Sequence, residues 1–183
     1  EQDHYLGGSL LWDGGHIDDM PADRWADDTA ERLAAQPNVR ILTNTTVTGY
    51  FDHNALTMIE AVSGDDPTAA AHLPRYRQWQ VRAGRVILAT GGIERPLVFP
   101  GNDRPGVMLA QAVRHYLERY GVMAGKRMVL FTNNDEAYRT AAAFHAAGGV
   151  VAAVIDSRPI VDPAVVARLE TLGIPLFADA AIV

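Results

Sequence analysis

Three groups of residues in this sequence have types and spacing suited to chemistry: an acid at position 1, a glycine pair at 7–8 and a second glycine pair at 91–92. In a dinucleotide-binding unit, an acidic side chain ends the second strand and accepts hydrogen bonds from the ribose hydroxyls of the adenosine. It stands roughly 20 residues beyond a glycine turn. Glu1 fits that place, and Gly7-Gly8 would let backbone pass close to a bound cofactor. A surface acid with no ligand fits the position equally well. Thr90-Gly91-Gly92 closes the apolar run Val86-Ile87-Leu88-Ala89. Ligands of open α/β sheets lie at the carboxyl ends of such strands, although a plain strand-to-loop turn would look the same. With Val47, where a following strand starts, the expected cofactor-binding set is Glu1, Gly7, Gly8, Val47, Ala89, Thr90 and Gly91.

Other chemistries find little support. The chain has no cysteine, which excludes a disulfide scaffold, a Cys-rich zinc site and a redox Cys-x-x-Cys. His4, His16, His53, His72, His115 and His145 lack metal-ligand spacing. No Ser/His/Asp or Cys/His set emerges, so neither a catalytic residue nor a metal ligand is assigned. The acidic stretch 13–28 suits a solvated helix start. Asn44-Thr45-Thr46 matches a glycosylation acceptor, but nothing else suggests secretion. Sixteen basic against 22 acidic residues give a net charge of −6, which argues against a nucleic-acid partner. No apolar run reaches membrane-spanning length, and Glu1-Gln2-Asp3-His4 is no signal peptide. The expectation is a cytoplasmic protein without a membrane or nucleic-acid partner.

These candidates must be positioned by secondary structure. Pro21 opens a helix at about Ala22 that runs to about Gln36, with Trp25, Ala26, Thr29, Ala30 and Leu33 as its inward stripe. Val39-Arg40-Ile41-Leu42 reads as a short strand. Residues 47–81 read as antiparallel strands separated by Asp52-His53-Asn54 and by Ser63-Gly64-Asp65-Asp66-Pro67. The continuously apolar 86–89 resembles a strand buried on both faces of a parallel sheet. A Pro-rich loop follows, then a helix from about Leu109 with Leu109, Ala112, Val113, Tyr116, Leu117 and Tyr120 on one stripe, stopping at Gly121. From Lys126 the pattern alternates strand, helix, strand, helix, strand, as a parallel sheet requires.

The sequence also repeats itself. Arg32-Leu33 and residues 39–47 match Arg168-Leu169 and residues 174–182 in pattern, with one residue of slip, and an acid precedes each copy: Glu1 and Asp156. In the later copy Asp156 closes a complete strand–turn–helix–strand unit, so Glu1 should close an equivalent unit that precedes the chain. The later unit has lost its glycines. Where G-x-G-x-x-G/A is expected stand Thr132-Asn133-Asn134-Asp135-Glu136-Ala137. Asn134 puts a side chain where backbone must touch a pyrophosphate, and Asp135 and Glu136 repel phosphate from the helix N-terminus. The expected fold is α/β: tandem Rossmann-like units with an antiparallel β-meander, truncated at both ends. Residues 1–122 would belong to a first dinucleotide-binding domain and 123–183 to a second, degenerate one. The first sheet should lack its central strand, leaving 86–89 with an unpaired apolar edge prone to association.

The run of residues 85–108, with Ala89-Thr90-Gly91-Gly92 and Glu94-Arg95-Pro96, resembles the α subunit of heterotetrameric sarcosine oxidase. So do Phe131-Thr132-Asn133-Asn134-Asp135 and Gly7-Gly8-Ser9-Leu10-Leu11. The resemblance implies a complex that demethylates sarcosine to glycine with oxygen and tetrahydrofolate. It implies NAD in the first nucleotide domain of the α subunit, FMN at the α/β interface, FAD in the partner β subunit, and β, γ and δ subunits as partners. The α subunits of opine, proline and other amine dehydrogenases share some of these elements. They remain an alternative, as does a non-catalytic scaffold that retains the nucleotide fold.

Overall fold

A computed structural model describes residues 1–64, 68 and 72–183. The turn expected at Ser63-Gly64-Asp65-Asp66-Pro67 lies partly outside the described residues. The chain forms two compact units, residues 1–91 and 92–183.

In the first unit, β1 (His16–Ile17) and β2 (Met20–Pro21) form a small hairpin. Its two turn residues, Asp18 and Asp19, both have positive φ, 49° and 63°, as a tight two-residue hairpin demands. Helix α1 (Ala22–Ala34) starts directly after Pro21 and buries Ala22 and Ala26. It packs on this hairpin and on the short 3-10 turn Gly8–Leu11. Leu33, expected on the inward stripe, is exposed.

A three-stranded antiparallel meander follows: β3 (Thr45–Phe51), β4 (Ala55–Ala61) and β5 (Tyr76–Arg82), with β4 central. Trp79 anchors it. Its indole N–H donates to Glu60 Oε2 at 2.7 Å, Arg77 pairs with the same oxygen at 2.9 Å, and the Arg40 guanidinium lies 4.4 Å from the ring centroid. Cation–π contact with the indole face explains why Arg40 sits here.

Two expected strands do not form. Residues 39–42 carry no strand. The segment pairs with no strand, although Leu42 O accepts from Glu1 N at 3.0 Å. Residues 85–89 are likewise unpaired, with Ile87 90% and Leu88 69% exposed rather than buried. Apolar sequence alone does not make a strand; the backbone needs a neighbour to take its hydrogen bonds.

The second unit is built on a parallel sheet in the order β6 (Arg127–Thr132), β7 (Val150–Asp156), β8 (Leu176–Phe177). Helices α3 (Glu136–Ala146) and α4 (Pro163–Thr171) make the crossovers. Leu130, Ala141, Phe144, Val154, Leu169 and Ile174 form its core. Asp162 caps α4, accepting from Ala164 N at 2.8 Å ahead of Pro163 at the first helical position.

Helix α2 (Ala110–Tyr120) also packs here, against α3, although the sequence grouped it with residues 1–122. It ends at Gly121 in the left-handed region, where Gly121 N donates to Leu117 O at 3.0 Å and Val122 N donates to Tyr116 O at 2.9 Å, a glycine-requiring stop. Its expected stripe is rotated. Tyr116 and Tyr120 face outward, and the buried positions are Ala110 and Arg114. The small Ala110 lets α3 approach, and Thr140 Oγ1 donates to Ala110 O at 3.0 Å.

Close packing at the end of α3 gives a first prediction. A Cβ on Gly149 would fall on the ring of Phe144, which is 1% exposed and has nowhere to move. Gly149→Ala should therefore cost about 1–3 kcal/mol through overpacking. Gly92→Ala, with open space at its Cβ, should leave the urea midpoint where it was.

Candidate functional site: two strand-end carboxylates

The internal repeat is present in the backbone hydrogen bonds. In the second unit Asp156 closes β7, and Ala180 N donates to Asp156 O at 3.1 Å while Asp179 N donates to Arg158 O at 3.0 Å. In the first unit Thr45 N donates to Glu1 O at 2.8 Å and Asn44 N donates to Asp3 O at 3.0 Å. Asn44 and Asp179 share a left-handed backbone, with φ of 50° and 51°. Each carboxylate also accepts from the N–H two residues on: Glu1 Oε1 from Asp3 N at 3.0 Å, Asp156 Oδ1 from Arg158 N at 2.8 Å. Glu1 is thus the geometric counterpart of Asp156, and Asp3 that of Arg158.

The surroundings of the two acids differ. Asp156 is fully buried. The Tyr138 hydroxyl donates to its Oδ2. Arg158 donates through Nε to Oδ1 at 3.1 Å and through Nη2 to Oδ2 at 2.7 Å. Burial opposes the charge on Asp156. The hydrogen bonds from Arg158 and Tyr138 outweigh it and hold the carboxyl below its ordinary range. Burial, then the bond to Asp156, pushes the Tyr138 hydroxyl well above its ordinary value. Arg158 reaches further, donating from Nη2 to Asp135 Oδ1 at 2.7 Å, and its hydrogen bonds to Asp156 and Asp135 keep it firmly protonated. Beside Glu1, by contrast, the place of Arg158 is taken by Asp3, which offers no guanidinium.

The turn after β6 is closed on itself. The Thr132 hydroxyl, 2% exposed, accepts from Asn134 N at 3.1 Å and donates to Asn134 O at 2.9 Å. Asn134 Oδ1 accepts from Glu136 N at 3.1 Å. Amides that a glycine turn would offer to a pyrophosphate are already bonded within the chain. Nearby, the Glu94 carboxylate takes the N-terminus of α2, accepting from Ala110 N at 3.2 Å and Gln111 N at 2.7 Å. A cleft of about 420 Å³ lies beside it, lined by Leu97, Phe99, Met128, Leu130 and Asn134 among others.

The other expected site residues all fall in the first unit. Gly7 has φ of 127°, and a Cβ there would sit 2.9 Å from Leu11 and 3.0 Å from Ala26. Packing of α1 on the loop therefore already requires a glycine. Gly8, φ 53°, faces open space. Val47 lies exposed on β3 opposite Met58. Ala89, Thr90 and Gly91 are exposed coil, and among the described residues no hydrogen bond joins them to Glu1, Gly7 or Gly8. The described residues hold no cluster of His, Cys, Asp or Glu that could bind a metal ion, and no helix long and apolar enough to cross a membrane.

Comparison with known proteins settles the family. No family model matches the chain. Sarcosine oxidase subunit alpha of Rhizobium meliloti (strain 1021) is 49% identical over 153 residues, 84% of this chain and 16% of that protein. The subunits alpha from Corynebacterium sp. strains P-1 and U-96 are 48% and 40% identical, over 86% and 92% of the chain. The chain belongs with one segment of the sarcosine oxidase α subunits. It spans about a sixth of the length of these curated relatives, 16–17%. Among solved structures, an L-proline dehydrogenase from P. horikoshii matches with a TM-score of 0.62, at 21% identity over 88% of this chain and 30% of that one. An engineered water-forming NADPH oxidase, solved with NADPH, matches with a TM-score of 0.56, at 17% identity over 99% of this chain and 40% of that one. These two likenesses establish the α/β Rossmann-type fold of the chain.

Sequence reasoning had singled out Asp156 as one half of a repeat and Asp135 as a repellent for phosphate. It missed Tyr138 and Arg158, which bind Asp156, and Glu94, which caps α2. Arg158 had a local signal, a cation two residues after a strand-end acid. Tyr138 had none, because its partner lies 18 residues away.

Proposed function

We propose that this chain is the part of a sarcosine oxidase α subunit that supplies the ribose-binding carboxylate of an NAD site, in residues 1–122, and begins the adjoining nucleotide-fold domain at 123. The observation that carries this is the shared backbone hydrogen-bond pattern: Glu1 occupies the place of Asp156, with Asp3 where Arg158 stands. Glu1 would accept the ribose hydroxyls, and Gly7-Gly8, with Ala89-Thr90-Gly91 and Val47, would border the cofactor. NAD bound there supplies a held dinucleotide; this chain contributes its orientation and no reacting group.

The function of the whole protein is then that of the α subunit in oxidative demethylation of sarcosine to glycine. Oxygen is the electron acceptor and tetrahydrofolate takes the methyl carbon. FMN at the α/β interface, FAD in the β subunit and the β, γ and δ subunits complete the assembly. Similarity of 40–49% to three sarcosine oxidase α subunits supports this reading. A second reading, the α subunit of a proline or related amine dehydrogenase, is favoured by the fold likeness to the L-proline dehydrogenase. Oxygen uptake by the assembled complex distinguishes them. Uptake with sarcosine and none with L-proline is expected, and turnover of L-proline alone would assign the second reading.

A further inference from the structure

We propose that the adenosine site of the second unit is filled by the chain itself, with Arg158 on Asp156 where ribose hydroxyls would bind. Asp135 pins that arginine at the turn where a pyrophosphate would pass. Beside the closed turn, the two copies differ at the position two residues after the acid: Asp3 in the first unit and Arg158 in the second. The statement about the first copy rests on the function proposed above; the statement about the second does not.

The geometry supports it at each contact a dinucleotide would need. A ribose binds its acid through two hydroxyl donors. Arg158 offers Asp156 a fork of donors through Nε and Nη2, at 3.1 and 2.7 Å, and the backbone N–H adds a third at 2.8 Å. A planar guanidinium matches a carboxylate in a way one hydroxyl pair does not. Tyr138 takes the remaining direction from within the core. The Asp156 carboxylate is then buried with no face left to solvent. At the turn, Asn134 N and Glu136 N are bonded to side chains of residues 132–134. The Asp135 carboxylate lies at the N-terminus of α3 and holds Arg158 at 2.7 Å. Loss of glycines and gain of the arginine act together. The first removes close backbone approach, and the second supplies the counter-charge a ligand-free acid would lack.

The same comparison predicts how to close the first copy. Glu1 and Asp3 have the backbone geometry of Asp156 and Arg158, so an arginine at position 3 can reach the Glu1 carboxylate in the same way. Asp3→Arg should therefore displace NAD, whereas Asp3→Ala should not.

Both statements are tested in the full-length subunit within its complex. Hydrogen exchange is followed in peptides spanning 132–138 and 156–158, with and without millimolar ADP-ribose. In the wild type these peptides should exchange identically with and without it. Arg158→Ala should speed their exchange at least tenfold; if that variant does not assemble, Asp135→Asn should raise exchange at 132–138. Slowed exchange in the wild type on adding ADP-ribose, or no change on cutting the Arg158 contacts, would overturn the closed second site. NAD retention is then measured for the position-3 variants. A loss of at least tenfold for Asp3→Arg, with wild-type retention for Asp3→Ala, is expected. Wild-type retention in Asp3→Arg would overturn the role given to this position. Exchange in a peptide covering 1–8 on NAD release reports the first site separately, so failure there does not touch the result for the second.

Discussion

Asp156→Ala is expected to destabilise the second unit by about 3–5 kcal/mol, the cost of removing one partner from a buried, hydrogen-bonded charge pair. Asp156 is fully buried and is the common acceptor for Tyr138 and Arg158, so its loss strands a buried hydroxyl and leaves the partly exposed Arg158 with Asp135. Urea denaturation followed through protection of β6 and β7 amides measures it. A fall in midpoint confined to the second unit is expected, and a change under 1 kcal/mol would show that the network does not hold the strand ends. Acid should act on the same group. The folded Asp156 has a lowered pKa, so its contribution is present above the unfolded value of about 4. It is lost as pH falls through the lower folded value. Asp156→Asn should flatten that part of the stability–pH curve.

The second large effect is expected at the α2–α3 contact. Arg114 is 2% exposed, and its Nη2 bonds Glu136 Oε1, with Glu118 at 3.8 Å and further polar contact. Glu136→Ala removes the nearest carboxylate from a charge that has left water, and should cost about 2–3 kcal/mol. Arg114→Met keeps the aliphatic volume and removes the charge, and should cost less than about 1.5 kcal/mol. The asymmetry is the point of the pair. No loss for Glu136→Ala in thermal or urea unfolding would mean that the arginine contributes through packing alone.

What the sequence made legible follows from range. The meander, the parallel sheet of 127–177 and the stop of α2 at Gly121 rest on local patterns: alternation, apolar runs and a residue free to adopt positive φ. These were read correctly. Segments 39–42 and 85–89 have the same apolar signal but pair with no strand among the described residues, and pattern cannot report a missing neighbour. Tyr116 and Tyr120 were placed inward because they are apolar at helical spacing. The interface with α3 instead chose Ala110 for its size and Arg114 for its partner Glu136, 22 residues on. The correspondence of Glu1 with Asp156 is legible by position. The neighbours of Asp156, Arg158 and Tyr138, are side chains whose partners only the folded chain reveals.

The most direct test is NAD retention by the full-length subunit carrying Glu1→Ala in the numbering used here. A ribose carboxylate contributes about 1.5–3 kcal/mol through each charge-assisted hydrogen bond. Retention should therefore weaken by at least about tenfold, measured as bound NAD after gel filtration and as Kd by calorimetry, with the second unit's amide protection unchanged. NAD content and affinity equal to wild type in that variant would contradict the assignment of Glu1 and the open first site built on it.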